Sequence, residues 1–278
     1  MDVAVVTDST AYLPPGVAAE HGISVVPLHV VLGLRTGAEG VDVQPAEVAA
    51  ALAERRMQVS TSRPTPMEFA AAYRSAGSAC VVSVHLAAGL SGTVDAARAA
   101  AADVLGEGIE VRVVDSGTIA MGLGFAVLAA ASVASAGGAA DEVEAAAAGA
   151  DTATLFYVDT LEHLRRGGRI GAAAALVGTA LSVKPLLHVV NGRIAPLEKV
   201  RTASKALARL EQLAVERAGA GPVDVAVHHL AAAEKAAALA ARLRERLPAL
   251  GRLQVSEVGA VVGAHVGPGL LGVVVSRR

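Results

Sequence analysis

Three polar knots interrupt an otherwise apolar chain, and their residue types suit holding a carboxylate better than breaking a bond. Gly89-Leu90-Ser91-Gly92-Thr93 lies between an apolar run and an Ala-rich helical run. Gly263-Ala264-His265-Val266-Gly267-Pro268-Gly269 lies near the end of the chain, and Thr61-Ser62-Arg63-Pro64 falls between two helical stretches. Together they offer hydroxyls, one imidazole and backbone N–H groups, with no nucleophile activator beside them in sequence. Ser91 reads as the N-cap of a helix running through Ala96 and Ala97. The first N–H groups of a helix lack intrahelical acceptors and sit at the positive end of its dipole, so an anion is well placed there. Gly89 and Gly92 carry no Cβ and let a ligand approach closely. Plain capping by Ser91 is the competing reading.

Thr65, Pro66 and Glu68 form a helix start with N-cap, first-turn proline and capping-box acid. That leaves Thr61 and Ser62 without a structural task, free to present two hydroxyls to an anion or to lie in a solvated loop. His265 can donate to a carboxylate, which would raise its pKa toward neutrality. Thr7-Asp8-Ser9-Thr10 ends a strand and either caps the next helix or faces a crevice. Asp115, also at a strand end, reads as a loop-orienting residue. Arg165 and Arg166 suit the negative end of a short helix that glycine terminates, while Arg169 is open to an anion or a partner protein.

Several patterns are decoys. Residues 267–272 match GxGxxG formally, but no βαβ unit fits so near the C-terminus. There is no Walker A pattern. His228 and His229 are strand-like neighbours whose side chains point to opposite faces, which argues against a shared metal. Neither a metal nor a cofactor is expected. The rival reading is a serine esterase, because Ser91, Asp115 and His265 occur in the order of an α/β-hydrolase triad. Its elbow pattern fails where Thr93 replaces the last glycine, and no HGGG-type segment is present.

The elements that must position these residues come from an aliphatic chain. Of 278 residues, 53% are hydrophobic and 2% aromatic, with no Trp, so Ala, Val, Leu and Gly build the core. Aliphatic walls can enclose an alkyl chain without fixing its shape. A net charge of −2 without basic blocks argues against nucleic-acid binding. The one cysteine, Cys80, excludes an intramolecular disulfide and is expected to be buried. The chain opens on a strand-like run at 3–6, so no secretory leader is expected and the cytoplasm is the expected compartment. Residues 116–140 carry no charge but are mostly Ala, Gly, Ser and Val, and read as a buried helix covering a sheet, without stable membrane insertion.

Strand-like runs at 2–6, 23–32, 79–85 and 109–114 alternate with helical runs at 14–21, 45–56, 66–76, 92–105 and 118–136, the pattern of a mostly parallel sheet flanked by helices. Strands at 153–158, 184–190, 193–198, 223–229, 252–258 and 270–276 follow, with helices at 160–166, 171–181, 202–217 and 231–246. Asn191-Gly192 signals a hairpin, so the second sheet is mixed. The expected organisation is α/β: an N-terminal domain over 1–150, joined through a helix at 139–150 to a C-terminal domain over 151–278.

In this order, Thr7-Asp8-Ser9-Thr10, Thr61-Ser62-x-Pro64, residues 89–93, Val114-Asp115-Ser116, Thr160-Leu161-Glu162-x-Leu164 with Gly167-Gly168-Arg169-Ile170, Lys184-Pro185 and Gly263-x-His265-x-Gly267-Pro268-Gly269 resemble the DegV family of bacterial fatty-acid-binding proteins. The resemblance implies two α/β domains with a ligand tunnel ending near their interface. It implies that a long-chain fatty acid such as palmitate or oleate is bound, its carboxylate held by Ser91 and Gly92, Thr61 or Ser62, and His265, with Arg169 near the headgroup or a partner. It further implies a non-catalytic protein that, in the better-known branch, presents the carboxylate to a separate fatty acid kinase subunit, whose acyl phosphate product feeds phospholipid synthesis. Ala87-Ala88 stand where the family commonly has serines, and Arg63 where glutamine is frequent. The energetics agree: burying about fifteen methylenes at roughly 0.8 kcal/mol each gives about 12 kcal/mol before ordering costs. The buried carboxylate must then be paired or hydrogen-bonded.

Overall fold

The computed structural model describes residues 2–54, 57–176 and 184–278. In chain order the elements are β1 (Val3–Asp8), α1 (Val17–Glu20), β2 (Ile23–Val26), β3 (His29–Leu32), β4 (Arg35–Ala38), α2 (Pro45–Glu54), β5 (Val59–Ser62), α3 (Pro66–Ser75), β6 (Cys80–His85), α4 (Thr93–Leu105), β7 (Glu110–Asp115), α5 (Met121–Ser135) and α6 (Ala140–Ala148). There follow β8 (Asp151–Tyr157), α7 (Glu162–Arg166), β9 (Lys184–Val190), β10 (Arg193–Val200), α8 (Ala203–Ala218), β11 (Val223–His229), α9 (Ala233–Arg246), β12 (Leu250–Glu257), α10 (Ala260–Val266) and β13 (Leu271–Arg277). The chain divides into two compact units, Met1–His29 with Ser62–Ala150, and Val30–Thr61 with Asp151–Arg278.

The first unit is built on a parallel sheet in the order β2-β1-β6-β7. Strand β6 is buried along its whole length, as an apolar run covered on both faces requires. Helices α3 and α4 pack Phe69, Tyr73, Ala96, Ala97, Ala100 and Val104 against Val6 and Val81. Helices α5 and α6 also pack on the sheet strands. Helix α5 is apolar all round and buried over most of its length. It approaches closely because Gly124 has no side chain: a Cβ there would lie 2.7 Å from the Ala11 carbonyl oxygen. Among the described residues, no helix is long and apolar enough to cross a membrane.

The second unit carries a mixed sheet in the order β10-β9-β8-β13-β11-β12, antiparallel except for the β11–β12 pair. Asn191 and Gly192, both at positive φ (50° and 70°), turn β9 into β10 as the Asn-Gly signal requires. Helices α8 and α9 bury Leu210, Ala214, Leu239 and Leu243 on the sheet with Leu186, Val225 and Val273. A small sheet, β4-β3-β5, and helix α2 complete the unit, with α2 packed on α10. Glu39 accepts the Val261 N–H at the start of α10 at 2.7 Å.

Four local expectations are corrected. The run 23–32 is two strands, because Pro27 has no N–H to continue a ladder and the chain leaves the parallel sheet after Val26. The segment Val30–Thr61 belongs with the second unit, an excursion that a single cut between 150 and 151 leaves out. Helix α10 occupies a segment to which the sequence reading assigns no helix, its helical character masked by glycine. The run 171–181 begins as a 3-10 turn over Gly171–Leu176, and its remainder, 177–181, lies outside the described residues.

Candidate anion-binding site

His265 is the central observation. It sits near the end of α10, and its Nε2 lies 2.8 Å from Thr61 Oγ1 on β5. Its Nδ1 is buried and has no hydrogen-bond partner among the described residues. If the Thr61 hydroxyl donates to Nε2, the ring proton resides on Nδ1, a buried donor on the ring edge packed against Gly167. An orphaned donor of this kind costs free energy until an acceptor arrives. Burial, and then the positive charge of Arg169, lower the His265 pKa to about 4, so the ring is neutral near pH 7. An apposed carboxylate would act in the opposite direction.

Two glycines shape this place. A Cβ at Gly167, just after α7, would overlap the His265 ring, and a Cβ at Gly267 would overlap His163. Gly267 also has φ +75°, a backbone state that suits glycine, where the chain leaves α10. Arg169 Nη1 donates to the Gly167 carbonyl at 2.6 Å, which keeps the guanidinium on the same turn. Arg165 and Arg166 instead clasp Glu162 on their own helix, consistent with a structural role.

Thr61 and Ser62 do not act as a pair. Exposure alternates along β5, so adjacent side chains face opposite ways: Thr61 reaches His265 and Ser62 is exposed. Residues 61 and 62 were legible as polar; the strand that separates them was not.

In the first unit, Gly92 rather than Ser91 occupies the N-cap position of α4, with no side-chain cap. Ser91 Oγ lies 2.9 Å from Thr93 Oγ1, so it serves no cap, and simple capping does not account for it. The Arg63 guanidinium lies against the Gly92 backbone, with Nη1 donating to the Gly92 carbonyl at 3.4 Å, where any Cβ at 92 would collide with it. Asp115 Oδ1 accepts the N–H of Ala88 at 3.2 Å and of Gly117 at 2.9 Å, the loop role expected of it. The bonds described for Ser91, Asp115 and His265 thus run to Thr93, to backbone amides and to Thr61.

Asp8 caps the short turn Ser9–Ala11, receiving the N–H and the hydroxyl of Thr10 at 3.0 and 2.6 Å. Among the described residues, no group of three or more His, Cys, Asp or Glu could hold a metal ion.

The family model described as DegV, an uncharacterised protein family, matches residues 2–278. A DegV domain-containing protein of Streptomyces coelicolor is 60% identical over 281 residues, covering 99% of each chain. The fold is similar to that of the DegV family protein of Thermus thermophilus, described as fatty acid binding, with TM-score 0.91, 33% identity and full coverage of both chains. It is equally similar to DegV of Bacillus subtilis, described as a fatty acid binding protein, with TM-score 0.91, 35% identity and full coverage of both. The chain belongs to the DegV family.

Proposed function

We propose that this protein is a carrier of long-chain fatty acids that presents the carboxylate to a partner kinase subunit and has no turnover of its own. The observation that carries the reading is the buried Nδ1 of His265, without a hydrogen-bond partner among the described residues, in a ring whose Nε2 is held by Thr61. A carboxylate supplies the missing acceptor, and an acyl tail supplies affinity through burial of its methylenes. The two structural relatives described as fatty acid binding support the same ligand class. Thr61, Ser91, the Gly92 turn and His265 are the residues assigned to the carboxylate, with Ser62 adjacent and Arg169 at the headgroup or the partner contact. The cytoplasm is the compartment proposed for this activity.

Native mass spectrometry of the purified protein, followed by lipid extraction, tests the reading. The expected result is a co-purified fatty acid, or saturable binding of added palmitate or oleate. Protein that is ligand-free and ignores both acids overturns it. Labelling of Ser91 by a fluorophosphonate probe would favour a hydrolase instead. The kinase role has its own assay: with ATP, acyl phosphate should form only when a kinase subunit is added.

A further inference from the structure

A chain of buried polar side chains in the first unit has no part in the site as described. Asp8, Thr10, Tyr73, Ser83 and His85 are all fully buried. The Asp8 carboxylate takes four donors: Thr10 N–H and Oγ1–H on one oxygen, and the Leu86 N–H at 3.0 Å and His85 Nδ1 at 3.1 Å on the other. This fills the acceptor capacity of a carboxylate. His85 Nε2 lies 2.7 Å from Ser83 Oγ, and Ser83 Oγ lies 3.0 Å from the Tyr73 hydroxyl. Tyr73 donates in turn to the Ala97 carbonyl of α4 at 3.4 Å. The relay therefore runs from the end of β1, across β6, to the helix that Ser91 and Gly92 introduce.

The segment leading into that turn is tied at three successive amides. Leu86 N–H goes to Asp8, Ala87 N–H to the Thr118 carbonyl at 2.8 Å, and Ala88 N–H to Asp115 at 3.2 Å. We infer that Asp8 and Asp115 are positioning residues for residues 89–93: by fixing the amides of Leu86 and Ala88 they set where the Ser91 hydroxyl and the first turn of α4 lie. The inference rests on the assignment of that turn to the carboxylate. A buried polar network held only for core stability would leave headgroup discrimination untouched.

The test compares binding of palmitate and methyl palmitate, with melting temperature, for the wild type, Asp115→Ala, Asp115→Asn and Asp8→Asn. Asp115→Ala removes the acceptor of the Ala88 amide from a solvent-exposed side chain and should lower the preference for acid over ester about tenfold, with little change in methyl ester affinity. Asp115→Asn keeps an oxygen acceptor and should retain most of the preference. A gain in acid affinity with Asn would instead mean that Asp115 acts by its charge, and would overturn the inference. Asp8→Asn should lower both the preference and the melting temperature. Should it fail to fold, Asp115→Ala decides, together with amide exchange at Ala88, expected to quicken in Ala and not in Asn. An unchanged preference in Asp115→Ala overturns the inference while leaving the carrier reading intact. A wild type that shows no preference for acid over ester removes the carrier reading and the inference with it.

Discussion

At the scale of single residues, the imidazole of His265 is held by what is missing around it as much as by what touches it. Gly167 has φ −73°, a value open to any residue, so its lack of a Cβ serves the ring rather than the backbone. Gly167→Ala should displace the His265 ring. The expected outcome is an order-of-magnitude loss of acid-over-ester preference, with binding of the methyl ester nearly unchanged. Unaltered palmitate affinity in this variant would show that the ring can shift without consequence. His265→Ala should remove the same preference, by about one to two orders of magnitude, since hydrogen bonds to charged groups contribute about 1.5–3 kcal/mol.

At the scale of elements, helix α3 shows how local chemistry positions a loop. Thr65 accepts the Glu68 N–H, Glu68 accepts the Thr65 N–H at 2.7 Å, and Pro66 occupies the first turn. This fixes where the residues following β5 must end and the helix begin. Thr65→Ala removes one half of the box and should cost about 1 kcal/mol of stability. Urea denaturation should show a lower midpoint with an unchanged slope, whereas a shift of the slope would point to a change beyond the cap. Strand β5 does the complementary work: its alternation delivers Thr61 to one face and Ser62 to the other.

At the scale of the whole molecule, two histidines, buried His228 and half-buried His265, set an acid limit. Burial lowers His228, and burial with Arg169 lowers His265, each to about 4. In the unfolded chain both titrate near 6.5. Between these values the unfolded state binds more protons, so stability is full above about pH 6.5, falls as the pH falls, and loses this contribution completely below about pH 4. Denaturation midpoints at pH 7, 5.5 and 4.5 should therefore decline steadily in the ligand-free protein. His228→Asn should flatten the decline, and bound fatty acid, by raising the folded-state pKa of His265, should shrink the His265 part of it. A ligand-free midpoint that is flat over this interval would contradict the neutral assignment of both rings.

Much of this protein was legible along the chain because the relevant physics is local. Periodicity marked the sheets and their covering helices, Asn191-Gly192 marked the hairpin, and Thr65-Pro66 with Glu68 marked the start of α3. Composition foretold an aliphatic core. Other features were hidden for stated reasons. Short, glycine-containing α10 and polar β5 have too weak a pattern to declare themselves, and nothing in residues 30–61 says which unit will claim them. Tertiary structure alone decided that Thr61 meets His265 across 204 positions of sequence, and that Asp8 and Asp115 hold Leu86 and Ala88. Such pairings depend on where the sheets carry each strand end, and no window of neighbouring residues contains that information.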